Sequence, residues 1–182
     1  MGLENFLLRI ESDALRGLAQ HWRAVRKGRL MPAWRDIDPR AIGPNLANIW
    51  AWRYDRQADC FTGRLAGETI NAIFGRSLRG VAMRDFFPAN TFDSVFARHR
   101  RVVTDPCAMH GRGPVFIHIG RYGNGERIIL PLADDGLHPD GIIGMTIYRL
   151  EDLEDDSKGI PIPGMSYSSE EVTYFPINDE EP

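Results

Sequence analysis

Three runs of strand-forming residues crowd the second half of the chain: Val115–Ile119, Arg127–Leu132 and Gly141–Tyr148. Between the first two, Asn124-Gly125 is a two-residue hairpin signal, because a type I′ turn needs positive φ at both central positions and Asn and Gly tolerate it. Asp134-Asp135-Gly136 gives a second turn before the third run. A meander of this kind has one apolar face, and that face must be covered by another layer. Two earlier runs supply more sheet. Residues 45–54, NLANIWAWRY, have β-branched and aromatic content, with Trp50 and Trp52 on one face. Residues 60–66 alternate Phe61, Gly63 and Leu65 against Thr62, Arg64 and Ala66, and the five-residue link 55–59 is of hairpin length.

Helical patterning fills the intervals. Residues 64–75, RLAGETINAIFG, read as a strand end, a tight turn, a short apolar helix and a glycine stop. A polar connector, Arg76–Gly80, follows, and Met83–Pro88 reads as one helical turn stopped by proline. Residues 91–105 predict a longer helix with Phe92, Val95, Phe96, His99, Val102 and Val103 inward, and Arg98, Arg100 and Arg101 outward. At the start of the chain, residues 3–28 read as helical. Leu3, Phe6, Leu7 and Ile10 share one face, and Leu15, Leu18, Ala19, Trp22 and Val25 share another. Ser12 or Asp13 is placed to cap a second segment, and Gly28 ends it. This amphipathic face suits packing on the body or on a twin, so a homodimer through the N-terminal helix is an expectation.

The element order predicts an α+β chain: a five-stranded antiparallel sheet covered on one face by short helices, preceded by an N-terminal amphipathic helix. Three segments follow from it: an N-terminal helical segment (1–28), the sheet-and-helix domain (29–150) and an acidic tail (151–182). Short helices on an apolar sheet face tend to leave a pocket. By inward pattern its lining is Leu65, Ile70, Ile73, Phe74, Met83, Phe86, Phe96, His99, Ile117, Leu130 and Met145, with Met83 and Phe86 as a wall able to move. Plain core packing by the same residues is the alternative, and free volume separates the two.

At 182 residues, 43% hydrophobic and 26% charged, the composition is that of an ordinary globular domain. No apolar run approaches the length of a membrane span, and the N-terminus does not read as a secretory signal. Met1-Gly2 lacks the Ser or Thr that a myristoylation site needs at the sixth position, where Phe6 stands. Two distant cysteines, Cys60 and Cys107, belong to no metal or redox motif and fit buried thiols of a reducing cytoplasm. Charge is uneven: residues 151–182 hold ten acids and one lysine, whereas the whole chain is only −3, so the body is basic. The tail then either lies back on the body or across a dimer mate, with Tyr174 and Phe175 as anchors, or leaves the body to an acidic partner.

The chemistry of the polar residues is sparse. No GxSxG is present, and Ser77 and Ser94 stand in ordinary surroundings. His21, His99, His110, His118 and His138 show no HxH, HExxH or HxxxH pairing, so no zinc site is expected. The glycines of residues 120–125 lie between strands rather than before a helix, which argues against a phosphate loop. An enzyme on this scaffold would have to use His99 or His118 with Asp85 or Glu68. Arg64 is placed to pair with Asp85 or Glu68, or to grip a ligand carboxylate as a fork. Arg98, Arg100 and Arg101 lack interleaved exposed aromatics, so nucleic acid is not expected as a partner; they can instead seat the acidic tail.

The element order, together with three motifs, resembles a known family. The motifs are Trp22…Gly28-Arg29-Leu30-Met31-Pro32…Asp36-Ile37-Asp38-Pro39, then Arg64-Leu65-Ala66-Gly67-Glu68…Ile70…Phe74-Gly75, then Ile129-Leu130-Pro131-Leu132…Asp135-Gly136…Ile142-Ile143-Gly144. They resemble PAS domains, and in particular a short single-domain PAS-like family common in alphaproteobacteria and long known as a domain of unknown function. The likeness covers roughly residues 12–148. It implies a cytoplasmic sensory or interaction module without catalysis of its own, which binds a small apolar or amphipathic ligand, a signalling partner protein, or both. The resemblance leaves the cofactor unknown. Flavin photosensors of this fold carry a Cys within an Asn-Cys-Arg-Phe-Leu-type motif, which Cys60 and Cys107 do not match. Haem-binding members need a proximal His on an inward helix face, for which His99 is the candidate, with a hydrogen-bonded core histidine as the alternative.

Overall fold

A computed structural model describes residues 2–118, 121–152 and 170–178. Helices α1 (Leu3–Arg9) and α2 (Asp13–Val25) are followed by a 3-10 turn at Trp34–Asp36, the short α3 (Pro39–Ile42) and a 3-10 stretch at Gly43–Asn48. Strands β1 (Ile49–Asp55) and β2 (Cys60–Ala66) come next, then α4 (Glu68–Phe74), α5 (Met83–Phe86) and α6 (Ala89–Thr104). Strands β3 (Cys107–His118), β4 (Arg121–Leu132), β5 (Gly141–Asp152) and β6 (Glu171–Pro176) complete one antiparallel sheet of order β2-β1-β5-β4-β3-β6.

The chain is α+β with a PAS-like antiparallel sheet, and it differs from the expectation in three respects. The sheet has six strands, because Glu171–Pro176 pairs with Cys107–Arg112 on the edge of β3. Asn124-Gly125 is not a turn. It lies inside β4 opposite Pro114 and Gly113, and a side chain on Gly125 would collide with the backbone of Ile147 and Tyr148 on β5. The glycine is there for close approach between strands rather than for positive φ. The N-terminal helical segment is two helices, as the capping residues predict, with the break at Ile10–Ser12. Finally, both faces of the sheet are covered: α4–α6 take one, and α1 and α2 take the other.

Strand alternation sorts the two faces. On the α1/α2 face lie Ala108, Ile128, Leu130, Leu132, Ile143, Met145 and Phe175, packed under Phe6, Leu15, Leu18 and Trp22. Trp22 is fully buried, and its Nε1–H donates to the Pro131 carbonyl at 2.8 Å. The apolar face that a twin would need is therefore spent on the chain's own sheet; Leu8 is the large apolar residue that these helices leave exposed. The break between the helices is held by Glu126 of β4. Its carboxylate accepts from the Glu11 and Ser12 amides at 2.9 and 2.8 Å and lies 2.7 Å from His110 Nε2. Ser12 stands at the N-cap position, but the capping oxygens come from β4. Burial works to raise the Glu126 carboxyl, yet these donors outweigh it and hold its pKa below the usual carboxylate value.

Candidate functional site

The other face carries Trp50, Trp52 and Tyr54 of β1, Phe61 of β2, Met109 of β3, Ile129 of β4 and Ile142 of β5. Over the β1 and β2 end lie the short helices. Gly67 starts α4, and only glycine fits there, since a Cβ would collide with the backbone of Leu46 and Ala47. Gly75 stops α4 at φ 62°, the left-handed conformation that glycine adopts without cost. The junction thus turns the chain back over the sheet within a few residues and lays Ile70 and Phe74 against the tryptophans.

What forms is an aromatic cup. Phe86 stands edge-on to Trp52 at a centroid separation of 5.6 Å and lies 4.8 Å from Phe74; Phe87 meets Phe86 at 5.2 Å and Phe74 at 5.7 Å. These tilted and edge-to-face pairs have favourable ring electrostatics. Trp50 lies over Gly144, where a side chain would clash with its ring, and its Nε1–H donates to Thr146 Oγ1 at 2.9 Å. His99 of α6 closes the floor, 5.3 Å from Trp50 and 6.1 Å from Phe61. The free volume between Trp50, Trp52, Ile70, Phe74, Leu78, Phe86, Phe87 and His99 is about 20 Å³, room for a single water at most. The cup is filled by its own rings.

Of the residues expected to line a pocket, Ile70, Phe74, Phe86 and His99 do meet here. Ile73 is half-buried on α4 and packs on the same core. Met83 is buried in that core but, with Phe96, faces a separate outer groove of about 600 Å³ beside Asp59, Asp85 and Asp93. Leu130 and Met145 are on the opposite face, under α1 and α2. The true inward residues are their neighbours, such as Ile129, because one position of register exchanges faces. Leu65 is exposed. A bulge lets Ala51 pair with Leu65 but Trp52 with Gly63, so the alternation of β2 flips at Arg64 and Ala66 turns inward instead. The side chains of Ile117 and His118 lie outside the described residues.

The sequence reading missed Trp50, Trp52, Leu78 and Phe87 as lining. The two tryptophans carried the signal, being large, same-face residues of a strand. Leu78 sits in the connector read as polar and crosses Gly63, whose missing Cβ makes the space.

The polar candidates are arranged differently from expectation. His99 Nδ1 lies 2.7 Å from the Val95 carbonyl. Burial drives its pKa down to about 3, with the Val95 bond working against the shift, so the ring is neutral near pH 7. Asp85 and Glu68 are exposed, and no carboxylate among the described residues meets His99. Arg64 pairs with neither acid; it stacks 4.4 Å over Trp34, with Arg53 5.4 Å from the same ring. Arg98 is not outward but buried, paired with Glu170, whose other oxygen lies 2.9 Å from Arg127 Nε. Cys60 and Cys107 are free, and burial, with Asp105 adding, pushes the Cys107 thiol up to about 12. Among the described residues no three His, Cys, Asp or Glu groups converge on a metal position, and no helix is long and apolar enough to cross a membrane.

An antiparallel sheet whose β1–β2 hairpin runs into short helices, then a longer helix, then a three-strand meander, defines a PAS-type scaffold. The family model described as PAS domain matches residues 10–147, and the chain belongs to that family. No curated protein matches it, and no solved structure matches it.

Proposed function

We propose that this protein is a regulatory PAS module of the cytoplasm that works by binding a partner protein, with no catalysis of its own. The observation that carries this reading is the closed aromatic cup on a PAS scaffold, about 20 Å³ where a small-molecule site runs to hundreds. His99, the inward histidine, supports it from the side of chemistry: it is neutral and faces rings rather than an acid. A small apolar or amphipathic ligand remains a second reading, favoured by the cup's make-up of rings on two short helices. Such a ligand has to displace Phe74, Phe86 or Phe87 to enter.

Self-association through α1 would rest on Leu8 and its polar neighbours; light scattering over a concentration series measures it. Native mass spectrometry of the purified protein, compared with the denatured sample, tests the main reading. A clean mass is expected. A stoichiometric excess mass lost on denaturation would overturn the closed-cup account and give the ligand reading its molecule.

A further inference from the structure

Residues 170–178 are held to the body much as a bound peptide would be. Their sheet partner is a single strand, β3, in the register Cys107↔Pro176 to Arg112↔Glu171. Four further contacts fix them, and each uses an arginine of the body. Glu170 bridges Arg98 of α6 and Arg127 of β4; Glu171 pairs with Arg9 at 2.7 Å; Tyr174 lies under Arg101 at 4.0 Å; and Arg26 donates to the Ile177 carbonyl at 3.0 Å. Between these, Val172 and Tyr174 pack on the α6 face, while Phe175 and Ile177 pack on the α1/α2 face.

The Glu170 position is a built carboxylate receptor. The Glu170 side chain is wholly buried, and those of Arg98 and Arg127 are nearly so. Gly111 of β3 supplies the space, since any side chain there would strike the Glu170 carboxylate. The two guanidinium groups converge on one carboxylate, whose charge offsets their mutual repulsion. The receptor is made wholly of body residues, so its chemistry does not depend on the acid belonging to the same chain.

Connectivity points the same way. Seventeen residues separate Asp152 from Glu170. Through Arg112 and Glu126, Glu171 is level with Ile147 on β5 and three strands away from it. The two ends are thus on the order of 20 Å apart, whereas a linker of that length reaches about 60 Å. Beside Tyr174 and Pro176 lies a cavity of about 360 Å³, bounded on the body side by Leu30, Arg101 and Cys107.

We propose that the β3 edge with the Arg98–Arg127 receptor is a binding site for an extended acidic segment of a partner protein, occupied here by the chain's own Glu170–Ile177 as a tethered stand-in. The recognised pattern is a glutamate for the receptor, a β-branched residue two positions on, and adjacent aromatics two and three positions beyond that. Main-chain pairing supplies affinity, and the glutamate supplies register and selectivity. The proposal names the partner chemistry of the regulatory reading and rests on that reading only for its biological use; the peptide site stands or falls separately from the cup.

The probe is a fluorescein-labelled synthetic peptide of residues 169–178, added to the full-length chain carrying Glu170→Ala and to the unmodified chain. The variant should bind the peptide at least tenfold more tightly than the unmodified chain, and a peptide carrying Glu170→Gln should bind the variant at least tenfold more weakly. Equal binding of the two peptides, or no binding to a folded variant, overturns the proposal. Should Glu170→Ala fail to fold, fluorine NMR of the unmodified chain labelled with fluorotyrosine decides. Millimolar peptide is expected to shift the Tyr174 resonance to a displaced position, and an unmoved resonance overturns the proposal. Neither result bears on the native-mass measurement, so failure of the site and failure of the closed cup are told apart.

Discussion

The two faces of one sheet are built on different plans. Under α1 and α2 the core is mostly aliphatic, and α2 is a full-length amphipathic helix, Leu15, Leu18, Ala19 and Trp22 lying along one side. Its buried acid, Glu126, takes two backbone amides and a histidine, so it joins chain segments rather than awaiting anything. Under α4 and α5 the core is a set of rings held by helices of seven and four residues. Helices that short have no stability apart from their packing. On this comparison the α4/α5 side is expected to open locally before the α1/α2 side does.

The sharpest way to break the comparison is Trp22→Ala. Loss of a fully buried indole and its bond to Pro131 should cost about 3–5 kcal/mol and lower the melting temperature of the whole domain as one transition. Chemical denaturation followed by far-UV circular dichroism measures it. Phe86→Ala, in the cup, should cost less, about 3 kcal/mol at the low end of the range for Phe→Ala, because the short α5 closes part of the gap. It should also leave an apolar cavity that takes up benzene, seen as a rise in melting temperature with added ligand. Equal costs at both positions, with no benzene uptake, would erase the distinction between the faces.

A smaller effect is set by pH. His99 has a folded pKa of about 3 against 6.5 unfolded, so below pH 6.5 the unfolded chain binds a proton that the folded chain refuses. Stability is therefore full above pH 6.5 and falls as pH drops from 6.5 toward 3. His99→Gln should flatten that part of the stability profile while leaving the Glu126-dependent loss, which sets in below about pH 4.5. Least of all, Arg100→Ala, which breaks the exposed pair with Asp59, should leave the melting temperature nearly unchanged. A larger loss there would mean that the outer groove near Asp59 is more tightly built than it looks.

Much of this arrangement was legible in the sequence, and the failures have physical causes. Alternation gave β1 and β2 and placed Trp50 and Trp52 together; spacing gave the inward residues of α6. The family resemblance extended from motifs to the whole 10–147 span. What alternation does not supply is phase. Alternation places Leu130 and Met145 on the cup's face, whereas Ile129 and Ile142 lie there, since both parities of β4 and β5 are apolar and either reads as inward. The β2 bulge, which turns Leu65 out, comes from the fit of two strands and leaves no local mark. Asn124-Gly125 was misleading because a glycine needed for close strand approach looks the same as one needed for a turn. Arg98 read as surface because its partner, Glu170, is 72 residues away in the chain.

Hydrogen exchange across the whole protein tests the central claim most directly. Amides of α2 and of the central strands β4 and β5 should exchange only through global unfolding, while those of α4 and α5 exchange through a local opening at least tenfold more often. Exchange of α4 and α5 in step with α2, with the same dependence on denaturant, would contradict the account and make the aromatic cup as fixed as the scaffold beneath it.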